Sequence, residues 1–193
     1  MMILGIHGSP RRDGNSDILL RAVLDAAAAA GAITRELFAC DLDIHGCLEC
    51  GGCDETGECV IEDDMGQVYP LLEAADAIVM ATPIFFYGPP AQLKALIDRA
   101  QAQWNKRRLS RLAGRPEGRK RAGWLVAVGA TRGKNLFDGT SLVARYFFDA
   151  LDMTCEEGLL LRQVEGKGDV LKRPDDLEAA RALGRRIAAA TQG

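Results

Sequence analysis

No window of 18 consecutive apolar residues occurs in the 193-residue chain, so no segment has the length of a membrane-spanning helix. The N-terminus, Met-Met-Ile-Leu-Gly-Ile-His-Gly, lacks a basic stretch followed by a longer apolar core, and no signal peptide is expected. Internal repeats, low-complexity segments and a domain-splitting linker are likewise missing. The formal charge of −3 argues against a general nucleic-acid binder. The first glycine turn is not followed by Gly-Lys-Ser/Thr and does not read Gly-x-Gly-x-x-Gly, so neither phosphate fingerprint is present. No acid–base pair or activated nucleophile stands out, and no catalytic side chain is assigned. These absences leave a cytoplasmic location as the default, where thiols stay reduced and clustered cysteines serve as ligands or redox groups rather than as bridges.

What is present begins with apolar content. At 48% hydrophobic and 26% charged, the chain is suited to one folded domain over residues 1–193. Met2 to His7 is an apolar run fit for a strand buried on both faces, followed by a polar turn, Gly8 to Asn15. From Ser16 the spacing predicts a helix stopping at Gly31, with Asn15 or Ser16 as its cap. Ile33–Ala39, Ala77–Ala81, Gly123–Gly129 and Thr154–Leu161 read as further strands. Helices are expected after an Asp63 or Asp64 cap (with Pro70 near the start or at a kink), from Gln92 to about Trp104, over Thr140–Leu151 and over Pro174–Ala190. Strands alternating with helices predict a doubly wound, five-stranded parallel sheet in the flavodoxin-like order 2-1-3-4-5.

One stretch is rich in cysteine. Cys47, Cys50, Cys53 and Cys59 fall at spacings x2, x2 and x5, with Gly46, Gly51, Gly52 and Gly57 among them, in a loop over residues 46–60. Short x2 spacings suit a four-iron cluster, which needs one thiolate per iron. A zinc site more often separates two C-x2-C pairs by a dozen residues or more. Zinc and plain loop thiols stay open as alternatives. Cys40 and Cys155 read as small buried apolar residues, His45 as a solvated loop histidine, and Trp104 and Trp124 as packing. His7 either lines a ligand site or ends its strand.

In such a sheet, ligands bind beyond the carboxyl ends of the strands. Gly8-Ser9-Pro10-Arg11-Arg12-Asp13-Gly14-Asn15-Ser16 is a phosphate-site candidate, with backbone N–H groups at a helix start, hydroxyls and a guanidinium nearby. Thr82-Pro83-Ile84-Phe85-Phe86-Tyr87-Gly88-Pro89-Pro90 is apolar where a solvated loop would be polar, as a flat ring system requires. A subunit contact is the other reading of that loop. Thr131, in Gly129–Gly133, is a weaker candidate for the pocket. Between positions 106 and 121, Lys106, Arg107, Arg108, Arg111, Arg115, Arg119, Lys120 and Arg121 face Glu117 alone, either as a solvated connection or as a patch for an anionic partner.

Gly8-Ser9-Pro10-Arg11 with Gly14-Asn15-Ser16, the cysteine loop running into Asp63-Asp64-Met65, Pro83-Ile84-Phe85, and Leu93-Lys94-Ala95-x-x-Asp98-Arg99 together resemble the iron–sulfur flavoprotein family. That family belongs to the NADPH-dependent FMN reductase branch of flavodoxin-like proteins. The resemblance covers roughly the first 100 residues. It implies FMN with its phosphate at Ser9, Arg11, Asn15 and Ser16, and with Pro10 and Gly14 in the same loop. The flavin ring would lie against Pro83 to Gly88. It also implies a [4Fe-4S] cluster on Cys47, Cys50, Cys53 and Cys59, and a homodimer or homotetramer with flavins near subunit interfaces. The expected activity is FMN-dependent electron transfer with NAD(P)H or a ferredoxin-like donor. An NAD(P)H-dependent FMN or quinone reductase without a cluster, a non-enzymatic electron carrier and a zinc-stabilised binding module are the alternatives.

Overall fold

The computed structural model describes residues 1–115 and 118–190. Glu117 of the basic stretch lies outside them. Five parallel strands, β1 (Met2–His7), β2 (Ile33–Phe38), β3 (Ala77–Pro83), β4 (Ala122–Gly129) and β5 (Thr154–Arg162), form one sheet in the order β2-β1-β3-β4-β5. The helices between them are α1 (Asn15–Ala29), α2 (Met65–Ala74), α3 (Ala91–Arg99), α4 (Gln101–Leu112), α5 (Asp138–Ala150) and α6 (Pro174–Ala190).

The central strands read as continuous apolar runs because both their faces are covered. Side chains alternate between the two sides. Ile3, Val79 and Val126 meet Leu20, Val23, Leu183 and Ile187 of α1 and α6. Leu4, Ile78, Met80 and Leu125 meet Met65, Leu72, Leu96 and Phe148 of α2, α3 and α5. Each such fully buried side chain contributes about 1.5–3 kcal/mol.

Two local expectations need correction. The helix expected over Gln92–Trp104 is two helices hinged at Ala100, and the second runs on to Leu112, so half of the basic stretch is helical. α2 starts at the Asp63–Asp64 pair as expected and has Pro70 inside it; its first amide, Met65 N, donates to Asp63 Oδ1 at 2.9 Å, while the Asp64 carboxylate accepts from Asp43 N at 2.8 Å. Gly14 rather than Asn15 or Ser16 precedes the first turn of α1.

Arg119 and Arg121, after α4, are engaged with the protein's own groups. Arg119 pairs with Asp76 and donates to the carbonyls of Ala74 and Ala75, and Arg121 donates to Leu72 and Leu151. They thus satisfy the orphan carbonyls at the C-terminal ends of α2 and α5, where positive charge is favoured. Lys106 pairs with Glu73, and Arg107 with Asp149 and Asp152. Cys155 is exposed on the edge strand, contrary to its expected burial; Trp104 is half-exposed and Trp124 buried.

Candidate functional site

β1 ends at His7, and the chain turns at once. Gly8 N donates to Ala81 O at 2.8 Å, and a Cβ at Gly8 would stand 2.3 Å from Leu93 Cδ2 and 3.0 Å from Ala81 O, so only glycine fits. Ser9 Oγ closes a tight turn onto Arg11, accepting from its N–H and donating to its carbonyl, both at 3.0 Å. Asp13 adopts the left-handed conformation (φ 55°), and its N–H donates to Asp17 Oδ2 at 3.0 Å. α1 then starts without any side-chain cap, which leaves the amides of its first turn available at the positive end of the helix dipole.

The Asp17 carboxylate does not oppose an anion there, because it is turned to His7. That imidazole is fully buried, with Nδ1 3.2 Å from Asp17 Oδ1 and Nε2 2.8 Å from Glu36 Oε2. Its ring stacks on Phe38 at 3.9 Å, and the Arg12 guanidinium lies over the Phe38 ring at 3.3 Å while pairing with Asp41. His7 therefore ends its strand as a structural link and does not line the cleft.

The cleft beside the first turn of α1 has a volume of about 270 Å³. Ser9, Pro10, Arg11, Gly14, Asn15 and Ser16 form one wall, and Pro83, Ile84 and Phe85 the apolar wall opposite. Val128, Gly129 and Ala130 at the end of β4 make its floor. Val164, Glu165 and Lys167, from the loop after β5, complete it; sequence reasoning missed them. The tie that brings them in is Asn15, whose Nδ2 donates to Gly166 O at 2.8 Å and whose Oδ1 accepts from Val170 N at 3.1 Å. The Asn15 side chain is thus committed to the loop after β5, and its backbone amide is what remains for a ligand.

Four expected residues stand outside this cleft. Phe85 and Gly88 exchange backbone hydrogen bonds of 2.9 Å around Phe86 (φ 48°) and Tyr87 (φ 63°), a two-residue hairpin turn of the mirror-image type. Two non-glycine residues in that region cost about 1–2 kcal/mol each. The turn carries Phe86 wholly into solvent and lays Tyr87 back over Gly133 and Gly139, where added Cβ atoms would stand 2.8 Å from its hydroxyl and 2.5 Å from its carbonyl oxygen. Gly88 and Thr131 do not line the cleft either. A larger cleft of about 990 Å³ lies at the opposite, amino end of β4 and β5, among the helix-capping arginines.

The cysteine segment leaves the end of β2, and residues 42–64 have turns but no helix or strand. Its neck is closed by a buried ion pair: Arg99 Nη1 reaches Asp63 Oδ2 at 2.5 Å and His45 O at 2.9 Å, and Nη2 donates to Ile61 O at 3.2 Å. The buried Asp63 carboxylate also accepts His45 N at 3.0 Å. Burial pushes Asp63 upward, but the Arg99 guanidinium and the amides of Met65 and His45 outweigh it and hold the carboxyl below its ordinary range. The tip rests on α4: Asn105 Nδ2 donates to Asp54 Oδ1 at 2.9 Å, Arg108 donates to Asp54 O at 2.6 Å, and Gly57 (φ 73°) sits where a Cβ would stand 2.7 Å from Lys106 Cα.

All six cysteines are free thiols; Cys47 and Cys50 are exposed, Cys53 and Cys59 half-buried. Among the described residues no three His, Cys, Asp or Glu side chains are gathered closely enough to share an ion, so the four sulfurs share one loop without converging. The donor set nonetheless fits a thiophilic centre. Four thiols occupy a loop fastened at neck and tip by other residues, and Glu49, Gly51 and Gly57 in the left-handed region turn its backbone. His45 is solvent-exposed at the neck.

A family model described as NADPH-dependent FMN reductase matches residues 1–155. An iron–sulfur flavoprotein of Methanocaldococcus jannaschii is 32% identical over 97% of this chain and 96% of its own. Another, of Methanosarcina thermophila, is 41% identical over 52% of each chain. Among solved structures, a flavone reductase superposes with a TM-score of 0.74 at 20% identity, covering 100% of this chain and 63% of the other. An NAD(P)H:quinone oxidoreductase from Methanothermobacter marburgensis superposes at 0.70 and 17% identity, over 97% and 98%. At those identities the structural likeness speaks to the fold, and it is the flavodoxin-like fold expected from the strand order.

Proposed function

Since the chain belongs to the NADPH-dependent FMN reductase family of oxidoreductases, and within it to the iron–sulfur flavoproteins, we propose that it transfers electrons between FMN and a redox partner through a [4Fe-4S] cluster. The observation that carries this reading is the uncapped start of α1, opening into a cleft whose opposite wall is apolar. A phosphate fits the free amides of that first turn with Arg11 and Lys167 on the same cleft, and a flat apolar ring fits Pro83, Ile84 and Phe85. Ser9, Gly14, Asn15 and Ser16 supply backbone to the phosphate end. His7 draws the Asp17 carboxylate away from it. Cys47, Cys50, Cys53 and Cys59 are the cluster ligands in this reading.

Bound FMN accepts a hydride and releases electrons singly, and a four-iron centre carries single electrons. The protein's own residues position both sites on the carboxyl rim, and the Arg12–Phe38–His7 stack ties the phosphate loop to the start of the cysteine segment. The donor is NAD(P)H or a ferredoxin-like protein. The whole chain acts as one domain, since the cysteine loop is fastened to α3 and α4 rather than standing apart. A homo-oligomer finds support in the apolar groove between α4 and α5, where Leu142 and Tyr146 are exposed.

The second reading, an NAD(P)H-dependent FMN or quinone reductase without a cluster, is favoured by the ungathered sulfurs. Anaerobic purification followed by an absorbance spectrum with iron, sulfide and zinc analysis separates the two. Brown protein with iron, sulfide and FMN supports the first. Yellow protein without iron leaves the second, and colourless protein in excess FMN overturns both. Bleaching of the flavin by NADPH or NADH separates an enzyme from a passive carrier.

A further inference from the structure

Beneath the tip of the cysteine loop, α4 presents a side chain that propensity does not recommend. Asn105 is 1% exposed, and asparagine is a weak helix former whose amide is costly to bury unless every group is satisfied. Here all of it is used. Nδ2 donates to Cys53 Sγ at 3.2 Å and to Asp54 Oδ1 at 2.9 Å, while Oδ1 accepts from Arg108 Nε at 3.1 Å. The amide cannot turn over. A guanidinium only donates and a carboxylate only accepts, so the flipped orientation would set donor against donor and acceptor against acceptor.

The four sulfurs are therefore not equivalent. Cys47 accepts the N–H of Glu49, two residues on, at 3.4 Å, and like Cys50 it is exposed. Cys59 has the hydroxyl of Tyr69, half-buried on α2, as its hydrogen-bonding neighbour, whereas Cys53 receives its donor from a side chain that is itself fully buried in a helix. A hydrogen bond to a thiolate sulfur stabilises negative charge on it, and an iron–sulfur centre gains negative charge on reduction, so such a donor raises the reduction potential.

We propose that Asn105 is the positioning residue of the cysteine site, fixing the Cys53 sulfur through its amide and raising the reduction potential of the centre bound there. The inference rests on the cluster reading above. Arg108, by holding the amide oxygen, fixes which way the donor points.

The test uses full-length protein purified anaerobically, with iron and FMN content measured alongside the cluster midpoint potential in an EPR-monitored titration. Asn105→Leu is expected to keep FMN and shift the cluster potential negative, leaving the flavin potential unmoved. Asn105→Asp sets a carboxylate against the thiolate, and iron content is expected to fall severalfold while FMN stays stoichiometric. Arg108→Met, a half-buried position, is expected to shift the potential in the same direction by less, and serves where the leucine variant does not fold. Wild-type potential and iron content in these variants overturn the inference alone. Wild-type protein that holds no iron overturns the inference together with the reading it rests on.

Discussion

Residues 8–14 and residues 42–64 leave neighbouring strands on the same rim, and they are held by opposite means. The first loop is shaped mostly from within, by Ser9 closing on Arg11 two residues away and Asp13 on Asp17 four residues away, with Gly8 on Ala81 and Arg12 on Asp41 as its longer ties. The second is held from a distance, by Arg99 acting 36 and 54 positions along the chain, Asn105 at 52 and Arg108 at 54. A short connection between strand and helix carries its own geometry, whereas a long irregular one borrows it from a packed helix. The loop after β1 is thus built once β1, β3 and α1 are in place, and the cysteine loop only once the α3–α4 elbow has docked.

The largest effect should come from removing the borrowed anchor. Arg99→Met leaves Asp63 buried and unpaired, which costs about 3–5 kcal/mol when a buried pair is broken from one side. The cost is expected to fall on the loop: iron is lost and residues 46–60 become protease-sensitive, while FMN is retained. Iron-to-flavin ratio and limited proteolysis report it. A variant that keeps its iron and its resistance would mean the cysteine loop stands by itself, and the contrast would be gone.

The reverse experiment strikes the loop after β1. Gly8→Val drives a side chain into Leu93 and the Ala81 carbonyl, an overpacking cost of about 1–3 kcal/mol. FMN affinity should fall about tenfold or more, by the usual 1.4 kcal/mol per decade, with iron content kept. Asn15→Ala is expected to act more weakly. It strands the Val170 N–H, costs about 1–2 kcal/mol, and frees the loop after β5 from the cleft. Fluorescence titration with FMN measures both, and an unchanged affinity in the second would remove residues 164–170 from the site.

The same division explains what could be read from residues alone. Strand order and the turn after β1 were legible because apolar runs and a glycine turn at a helix start are local patterns. Ser9, Arg11, Gly14 and Ser16 line one wall of the cleft. Asn15 lines the same wall, but its side chain faces the loop after β5, a partner more than 150 positions away that no spacing rule reaches. Phe86 and Tyr87 were read as cleft lining from their apolar character, and a turn with two left-handed residues points one outward and packs the other behind. Nothing in the order of residues couples Asn105 or Arg99 to the cysteines. Only the break at Ala100, which restarts the helix as α4, sets both beneath the loop.

Acid offers the finest test, because each loop contains one aspartate held below its ordinary range. Asp13 is lowered by its hydrogen bond and charge pairing with Arg21, but it is fully exposed, and solvent-screened pairs contribute little. Asp63 is buried and lowered by Arg99 despite the opposing push of burial. For a depressed carboxyl the folded form is favoured in full above the ordinary aspartate value, and that contribution is lost as pH falls through the lower folded value. Hydrogen exchange on flavin-free protein, followed downward from about pH 5 past the ordinary aspartate value near 4, should therefore show residues 43–64 opening before residues 8–17. Simultaneous opening of both would place the acid response in the common core and leave the Arg99–Asp63 pair without its assigned part in holding the neck.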